Sequence, residues 1–302
     1  MTEITYYFQH KKQAKLNKLV NNPLFNEVVA YFQKHQQEEI ILRDLKKVFS
    51  DKSFEQFLEE MIDFRLISRQ ERRYFLTISF FSAEDFSKVS EEKINEVEKR
   101  INGYTEIEKV NFYGEMLWDS LFTEEQDYFF GVASSAAPVF FEKNTAGNEQ
   151  LSFVSIHPKS SYPFDLPSYF TAIAALGTGG IPNSYQPLQQ LIGDVDSHYF
   201  ASQAFRVFRS VIKKRRIADK RNIFLEALLL TGDLSQEDNQ WELSYPVLNK
   251  ENLKPSVHYE ELSVYQEAAD AQERVFMKHV FYQQCLLRFL KTGQQLRYSI
   301  YS

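Results

Sequence analysis

The stretch Leu42–Thr77, which reads LRDLKKVFSDKSFEQFLEEMIDFRLISRQERRYFLT, decides the fold of the N-terminal part of this chain. A short helix is predicted at its start, because its apolar residues repeat there at helical spacing. A longer helix is predicted to begin at Ser53, since Gln56 follows three residues later in the pattern of a capping box. The apolar face of that helix is Phe54, Phe57, Leu58, Met61 and Ile62. The polar, basic stretch after it and the apolar run Tyr74–Ile78 are typical of a β-hairpin.

A further helix is predicted upstream, because Asn22 can cap a helix and Pro23 suits its first position. Three short helices followed by a hairpin resemble the winged helix-turn-helix module, and the stretch quoted above carries that resemblance over about a fifth of the chain. The resemblance implies DNA binding, with the third helix in the major groove and the wing of the hairpin on the backbone.

The charges of this module do not fit DNA binding. Its third helix exposes four carboxylates, which would oppose binding to phosphates: Glu55, Glu59, Glu60 and Asp63. The wing offers three cations that could contact a backbone: Arg69, Arg72 and Arg73. Two interpretations therefore stay open, a protein-interaction or structural module with solvated arginines and a DNA-contacting module.

A second group of cations follows one predicted helix near the middle of the chain. Residues 197–216 have a clear amphipathic pattern, and five cations are spaced by 3, 4, 3 and 4 residues: Arg206, Arg209, Lys213, Arg216 and Lys220. If the helix continues so far, these cations form one stripe. The stripe is interpreted as a solvated face, as a nucleic-acid contact, or as a docking site for an acidic surface such as residues 83–128.

The composition sets the class of protein. The chain has 302 residues, a net charge of −6 and only 10 Gly and 9 Pro, which excludes collagen-like and low-complexity classes. Cys285 is the one cysteine and is expected to be a buried core residue without a disulfide. The absence of a long apolar run and of a signal segment predicts a cytoplasmic protein without a membrane partner.

The predicted architecture is mainly α with a small β component. The winged-helix-like module is placed at 15–82, an acidic helical connector at 83–128, and a mostly helical domain at 129–302 with a β-hairpin near its start. The hairpin strands are predicted at Val139–Phe141 and Leu151–Ile156, with residues 144–148 as the loop. A long C-terminal helix is predicted from about Glu261 to Lys291.

The zone 131–193 has few charges and most of the Gly and Pro residues, and it supports an alternative function in binding a small ligand or in catalysis. Four residues could be drawn as a hydrolase triad, but they lie too close in sequence and no G-x-S-x-G motif is present: His157, Ser160, Ser161 and Asp165. The loop at 177–184 is interpreted as a helix stop, with anion binding as the alternative. The histidine spacings indicate no metal site, and no catalytic residue or cofactor is predicted.

The wider chain resembles an uncharacterised protein family of lactic-acid bacteria and their relatives. The segments that carry this resemblance are NPLFNEVVAYF from Asn22, LRDLKKVF from Leu42, LIGDVDSHYF from Leu191 and NIFLEALLLTG from Asn222. The resemblance implies a cytosolic bacterial protein and no particular activity. The sequence therefore predicts a non-catalytic interaction or regulatory protein whose partner is another protein or nucleic acid.

Overall fold

A computed structural model describes residues 4–86, 91–123, 127–133, 139–174, 181–217, 220–237, 240–252, 268, 270–290 and 295–302. The chain divides into two compact units, each built from three separate segments. Unit 1 consists of residues 1–88, 124–137 and 265–277, and unit 2 of residues 89–123, 138–264 and 278–302.

Unit 1 begins with a strand, followed by the helices and the hairpin that the quoted stretch encodes. Its elements are β1 (Ile4–Gln9), α1 (Gln13–Val20), α2 (Pro23–Lys34), β2 (Ile40–Ile41), α3 (Leu42–Val48), α4 (Phe54–Asp63), β3 (Ile67–Gln70), β4 (Arg73–Leu76), β5 (Ser79–Phe81), α5 (Ala83–Phe86) and β6 (Tyr128–Ala133). The start of α2 is confirmed, because Asn22 caps the helix by accepting from the Leu24 N–H at 3.0 Å. The apolar stripes of α1, α2 and α4 meet in one core with Tyr74 and Phe129.

The start of α4 differs from the predicted capping box. Ser53 does occupy the N-cap, but its side chain makes no cap hydrogen bond. Its hydroxyl instead donates to Asp51, which also accepts from the Ser53 N–H at 2.7 Å. The preceding carboxylate therefore orders the turn before α4, because it offers a stronger acceptor than the glutamine three residues along.

Two small sheets complete unit 1. The first has the order β2-β4-β3, and Glu71 and Arg72 at the tip of its hairpin have left-handed φ angles of 49° and 64°. Two left-handed residues are what a tight two-residue hairpin turn requires. The second sheet has the order β1-β6-β5, with β6 antiparallel to β1 and parallel to β5.

Unit 2 packs helices against a four-stranded sheet. Its elements are α6 (Glu91–Ile101), α7 (Glu106–Asn111), a π-helix (Phe112–Leu117), α8 (Trp118–Phe122), β7 (Phe141–Gly147), β8 (Leu151–Pro158), α9 (Leu166–Ala174), α10 (Gln186–Ile192), α11 (Ser197–Ile212), α12 (Ile223–Leu230), β9 (Leu234–Glu237), β10 (Gln240–Leu243), β11 (Val247–Asn249) and β12 (Leu296–Tyr301). The sheet has the order β11-β12-β8-β7, and β9 and β10 form a separate hairpin. A long helix, α13 (Ala271–Phe289), has its first residues in unit 1 and the rest in unit 2.

The expectation of a mainly α protein with a small β component is wrong. Among the residues that the structure describes, 52% are helical and 22% lie in strands, and the strands form four sheets. The aromatic runs Tyr128–Phe130 and Tyr6–Phe8, for which no strand was predicted, lie in the paired strands β6 and β1. The C-terminal residues 296–301, for which no strand was predicted, pair with β8.

Two further predictions of element boundaries are compared with the structure here: those of the hairpin near 139–156 and of the C-terminal helix. The hairpin predicted near 139–156 exists, but Asn144–Gly147 belongs to β7, and the turn lies at residues 148–150. In the C-terminal helix, the described residues are helical over Ala271–Phe289, and the predicted start near Glu261 lies outside the described residues. Residues 177–180 of the Gly-rich loop lie outside them as well.

Candidate interaction groove

A groove of about 890 Å³ opens in unit 1 between α1 and α4. Its floor is apolar and comes from buried side chains of the unit 1 core, Leu16, Leu19, Phe57, Leu66 and Ile78. Its walls are charged and exposed to solvent. A floor of packed apolar residues beneath charged walls is the composition of a surface that binds another molecule.

The two walls of this groove carry opposite charges. Lys12, Lys15 and Lys18 lie along the α1 wall, while Glu60 and Asp63 lie along the α4 wall. None of these five side chains forms an ion pair with another residue in the described part of the chain. The lysines were missed in the sequence, although their spacing of three residues on one helix was the available signal.

His10 fixes the loop at one end of the groove. Its ring Nδ1 accepts a hydrogen bond from the Lys12 N–H at 2.9 Å, and its Nε2 lies 3.6 Å from a carboxylate oxygen of Asp127. The ring also packs edge-on against Phe64, with centroids 5.0 Å apart. These contacts hold β1, α1 and the start of β6 together around the groove.

The outward face of α4 is acidic, as the sequence predicts, and neighbouring cations neutralise part of it. Glu55, Glu59, Glu60 and Asp63 are exposed. Lys46 of α3 forms an ion pair with Glu55, and the wing residue Arg69 lies 3.8 Å from Glu59. Only Glu55 and Glu59 have such partners among the described residues, so Glu60 and Asp63 keep this face acidic.

The three wing arginines differ in their surroundings. Arg73 is held between Glu39 at 2.9 Å and Glu71 at 3.4 Å, and Arg69 faces Glu59 and the ring of Tyr74. Arg72 is exposed at the tip and forms no ion pair with any described residue. Two of the three cations are thus already paired within the module.

The predicted basic stripe does not form one continuous helical face. α11 ends at Ile212 with Lys213 as its C-cap, and Lys214 then has a left-handed φ of 48°. Arg206 and Arg209 lie on the helix, whereas Arg216 and Lys220 follow its end. All five predicted cations are exposed, and within the described residues they form no ion pair, including with the acidic residues of 91–123.

Arg65 occupies a backbone position that favours glycine. It follows α4 with φ of 56°, and the Leu66 N–H bonds to the Met61 carbonyl at 2.8 Å, which is the pattern of a Schellman cap. A left-handed backbone costs a non-glycine residue about 1 kcal/mol. Because the Arg65 side chain lines the groove, the strain is consistent with a role for its charge there.

Replacing Arg65 by glycine is expected to raise the free energy of unfolding by up to about 1 kcal/mol, because the left-handed strain is released. The measurement is urea denaturation followed by far-UV circular dichroism. Lys214→Gly is the matched control, since Lys214 has the same backbone conformation and does not line this groove. A lower stability of the Arg65 variant would show that its side chain stabilises the fold.

The residues considered for a hydrolase triad are brought together, but not as a triad. His157 is buried and contacts Asn144 and Ser168 through Nε2 and Ser161 through Nδ1. Asp165 is buried separately and accepts hydrogen bonds from Ser155, Ser168 and Gln295. The carboxylate does not orient the imidazole, so the arrangement lacks the base-orienting contact of a triad. The hydrogen bonds of Asp165 instead connect β8, the start of α9 and the residue before β12.

The zone 131–193 contributes no lining residue to the groove. Its described residues supply instead the β7-β8 hairpin and the buried hydrogen-bond network around His157 and Asp165. Cys285 is also buried, and burial raises the pKa of its thiol to about 12. This thiol is therefore protonated and unreactive at neutral pH.

Among the comparisons with known proteins, one family model matches the N-terminal part of the chain. Residues 5–109 match the profile of a family described as a domain of unknown function, DUF1803, which is about a third of the chain. The match includes α1, α4 and the wing, so it contains both walls of the groove. No curated protein and no solved structure matches this chain. Within the described residues, no helix has the length and apolar character needed to span a bilayer.

Proposed function

We propose that this chain is a non-catalytic, cytosolic interaction protein whose winged-helix-like module binds a protein partner and does not read DNA. The order of its helices, the hairpin after α4 and the strand order β2-β4-β3 support the winged-helix-like assignment. The resemblance of the wider chain to a family of lactic-acid bacteria stays part of this proposal.

The observation that carries the proposal is the acidic outward face of α4. In a winged helix that reads DNA, this helix lies in the major groove, where phosphates surround it. Here that face presents Glu55, Glu59, Glu60 and Asp63. Phosphate contacts supply much of the affinity of DNA-binding proteins, and these carboxylates would reduce it.

The groove beside α4 supports a polypeptide as the partner. Its apolar floor can bury side chains, while the lysines of α1 and the carboxylates of α4 can pair with acidic and basic residues of one segment. Complementary charges on both walls would fix the register of such a segment. A nucleic acid has only one sign of charge and would be repelled by the α4 wall.

The first test of this proposal is a titration of the full chain into a labelled DNA duplex at about 50 mM salt, followed by fluorescence anisotropy. We expect no saturation below about 10 μM protein, because the carboxylates on the outward face of α4 oppose contact with phosphates. Salt-dependent binding that is lost in Arg72→Ala, or in Arg206→Glu/Arg209→Glu, would overturn the proposal. The first variant tests the wing and the second tests the basic helix.

The second test places a photo-crosslinking amino acid at Gln56, which lines the groove, in cells of the source organism. We expect a discrete crosslinked protein that disappears in Lys15→Glu/Lys18→Glu. The same amino acid at Glu27, exposed on α2 and outside the groove, is the matched control. Equal crosslinking from both positions, or crosslinking unaffected by the lysine variants, would contradict binding in the groove.

A further inference from the structure

Residues 206–221 of unit 2, which we call the basic segment, concentrate positive charge in an acidic chain. They include eight Lys and Arg against one Asp, a net charge of +7, whereas the whole chain has a net charge of −6. Asp219, the single acidic residue, lies outside the described residues. All eight cations are exposed: Arg206, Arg209, Lys213, Lys214, Arg215, Arg216, Lys220 and Arg221. A segment of this charge attracts anionic groups.

Most of these cations have no counter-charge within the chain. Arg221 is paired, since its Nε lies 3.6 Å from a carboxylate oxygen of Glu226. The other seven form no ion pair with a described residue, and this includes the acidic residues of 91–123. Unpaired like charges close together repel one another, so a partner with several negative charges would relieve that repulsion.

The dipole of α11 accounts for only part of this charge. α11 ends at Ile212, and Lys213 is its C-cap. Cations in the last turn of a helix interact favourably with its dipole, which applies to Arg209 and Lys213. The effect falls off beyond that turn. The cations of 215–221 therefore gain little from it, although they remain exposed.

An open hollow of about 610 Å³ lies beside the second half of the basic segment. Its apolar lining comes from Ile217, Ile223 and Phe224, which are half-buried. Phe200 of α11 holds the Phe224 ring edge-on, with centroids 5.5 Å apart. Lys220 lines the hollow as well. An apolar recess next to exposed cations can take up an apolar side chain of a partner whose neighbouring residues are acidic.

This combination favours an acidic polypeptide over other polyanions. A nucleic-acid backbone would pair with the cations, but it has no aliphatic side chain for the hollow. A bilayer surface takes up apolar side chains that protrude from a protein, whereas Ile217, Ile223 and Phe224 are half-buried around a recess. An acidic peptide with one bulky apolar residue can satisfy both parts of the surface.

We propose that the basic segment and its hollow bind an acidic segment of another protein, with carboxylates on the cations and one apolar side chain in the hollow. This surface belongs to unit 2 and does not include the groove of unit 1, so the inference goes beyond the proposed function. Exposed ion pairs are individually weak. The affinity therefore depends on several carboxylates acting together and on the inserted side chain.

The test is a titration of the full chain into two fluorescein-labelled peptides, followed by fluorescence anisotropy at about 50 mM salt. The first peptide has about twelve residues, all Glu and Asp except a central Leu, and the second has Ser in place of that Leu. We expect a Kd below about 100 μM for the Leu peptide. The Ser peptide should bind about fivefold more weakly or worse, because the hollow then stays empty.

Two matched double variants locate the bound peptide. Arg216→Glu/Lys220→Glu reverses two unpaired cations outside the helix and should weaken binding of the Leu peptide about tenfold or more. Lys15→Glu/Lys18→Glu changes the net charge by the same amount in the groove of unit 1 and should leave the affinity within about twofold of the original. A larger loss in the second variant would place the peptide in that groove and overturn the proposal.

A further variant and a second probe test the chemistry of the partner. Gln203→Trp fills the hollow from α11, and it should remove the difference between the Leu and Ser peptides while the Ser peptide binds as before. The second probe is a labelled single-stranded oligouridylate with as many negative charges as the Leu peptide. The proposal is overturned if this RNA binds more tightly than the Leu peptide, if the two peptides bind equally to the original chain, or if neither saturates by about 1 mM.

Discussion

Replacing Asp233 by alanine is expected to lower the free energy of unfolding of unit 2 by about 3–5 kcal/mol at neutral pH. The Asp233 carboxylate is 8% exposed and faces Arg297, which is 9% exposed. Removal of the carboxylate leaves a buried guanidinium without its counter-charge. It also removes one contact of the Thr231 hydroxyl, which keeps the Ala227 carbonyl as an acceptor at 2.9 Å. The measurement is urea denaturation followed by tryptophan fluorescence, because Trp118 and Trp241, the only tryptophans of the chain, both belong to unit 2.

The control for Asp233→Ala is the double variant Asp233→Ala/Arg297→Met. A buried ion pair replaced as a whole by apolar residues often loses little stability, whereas one partner left alone is costly. We therefore expect the double variant to be more stable than Asp233→Ala. If the two variants are equally unstable, the loss arises from packing around Asp233, and the ion pair does not explain it.

The pH dependence of the free energy of unfolding tests the Asp233–Arg297 pair independently. Burial raises the pKa of Asp233 to about 6 from its ordinary value of 3.8, although Arg297 and the Thr231 hydroxyl lower it. Because the folded state holds the proton more tightly, the protonated form of this carboxyl gives the more stable fold. This pH-dependent contribution, about 3 kcal/mol relative to the ionised form, is fully present below about pH 4 and is lost as the pH rises through 6. The stability advantage of the original chain over Asp233→Asn should shrink by that amount between pH 4 and 7. Parallel pH profiles would contradict the raised pKa.

Asp165→Ala is expected to destabilise unit 2 by about 3 kcal/mol or more, because it leaves several buried donors without an acceptor. One oxygen of Asp165 accepts from the Ser168 N–H at 2.8 Å and caps α9. The other accepts from the Ser155 hydroxyl at 2.8 Å and from the Gln295 amide. Both Asp165 and Ser155 are completely buried, so water cannot replace these hydrogen bonds. Tryptophan fluorescence during urea denaturation again reports the loss.

Asp196→Ala is the matched control for Asp165→Ala. Asp196 caps α11 in the same unit by accepting from the His198 and Tyr199 N–H groups at 3.0 Å, but it is exposed. Its loss should cost only the ordinary cap contribution of about 1 kcal/mol. Equal losses for the two variants would mean that the buried network adds nothing beyond helix capping.

Features that depend on neighbouring residues could be predicted from the sequence. The cap at Asn22, the apolar stripe of α4 and the cap at Asp196 each involve residues within one or two helical turns, and the structure contains all three. The central strand β6 could not be predicted in the same way. Its partners β1 and β5 lie far away along the chain, and no local period indicates which strands will meet.

The same difference between local and long-range contacts applies to the candidate site. The acidic face of α4 and the wing arginines could be predicted from helical spacing and from the hairpin pattern. The groove could not, because it requires α1 to pack beside α4 and β6 to close its end. A cavity of about 750 Å³ in unit 2 is still further from what the sequence could predict, since its wall combines segments between residues 98 and 297.

The position of β6 has a consequence for how this protein is made. A ribosome releases β1 and β5 well before β6, which is the strand that bonds to both. Until residue 133 has emerged, the nascent chain presents two unpaired strand edges, which are sites for aggregation and for chaperone binding. A fragment cut at residue 109, where the family match ends, would remain in that state permanently. The sheet can therefore close only after residue 133 has been translated, whereas the match to the family ends at residue 109.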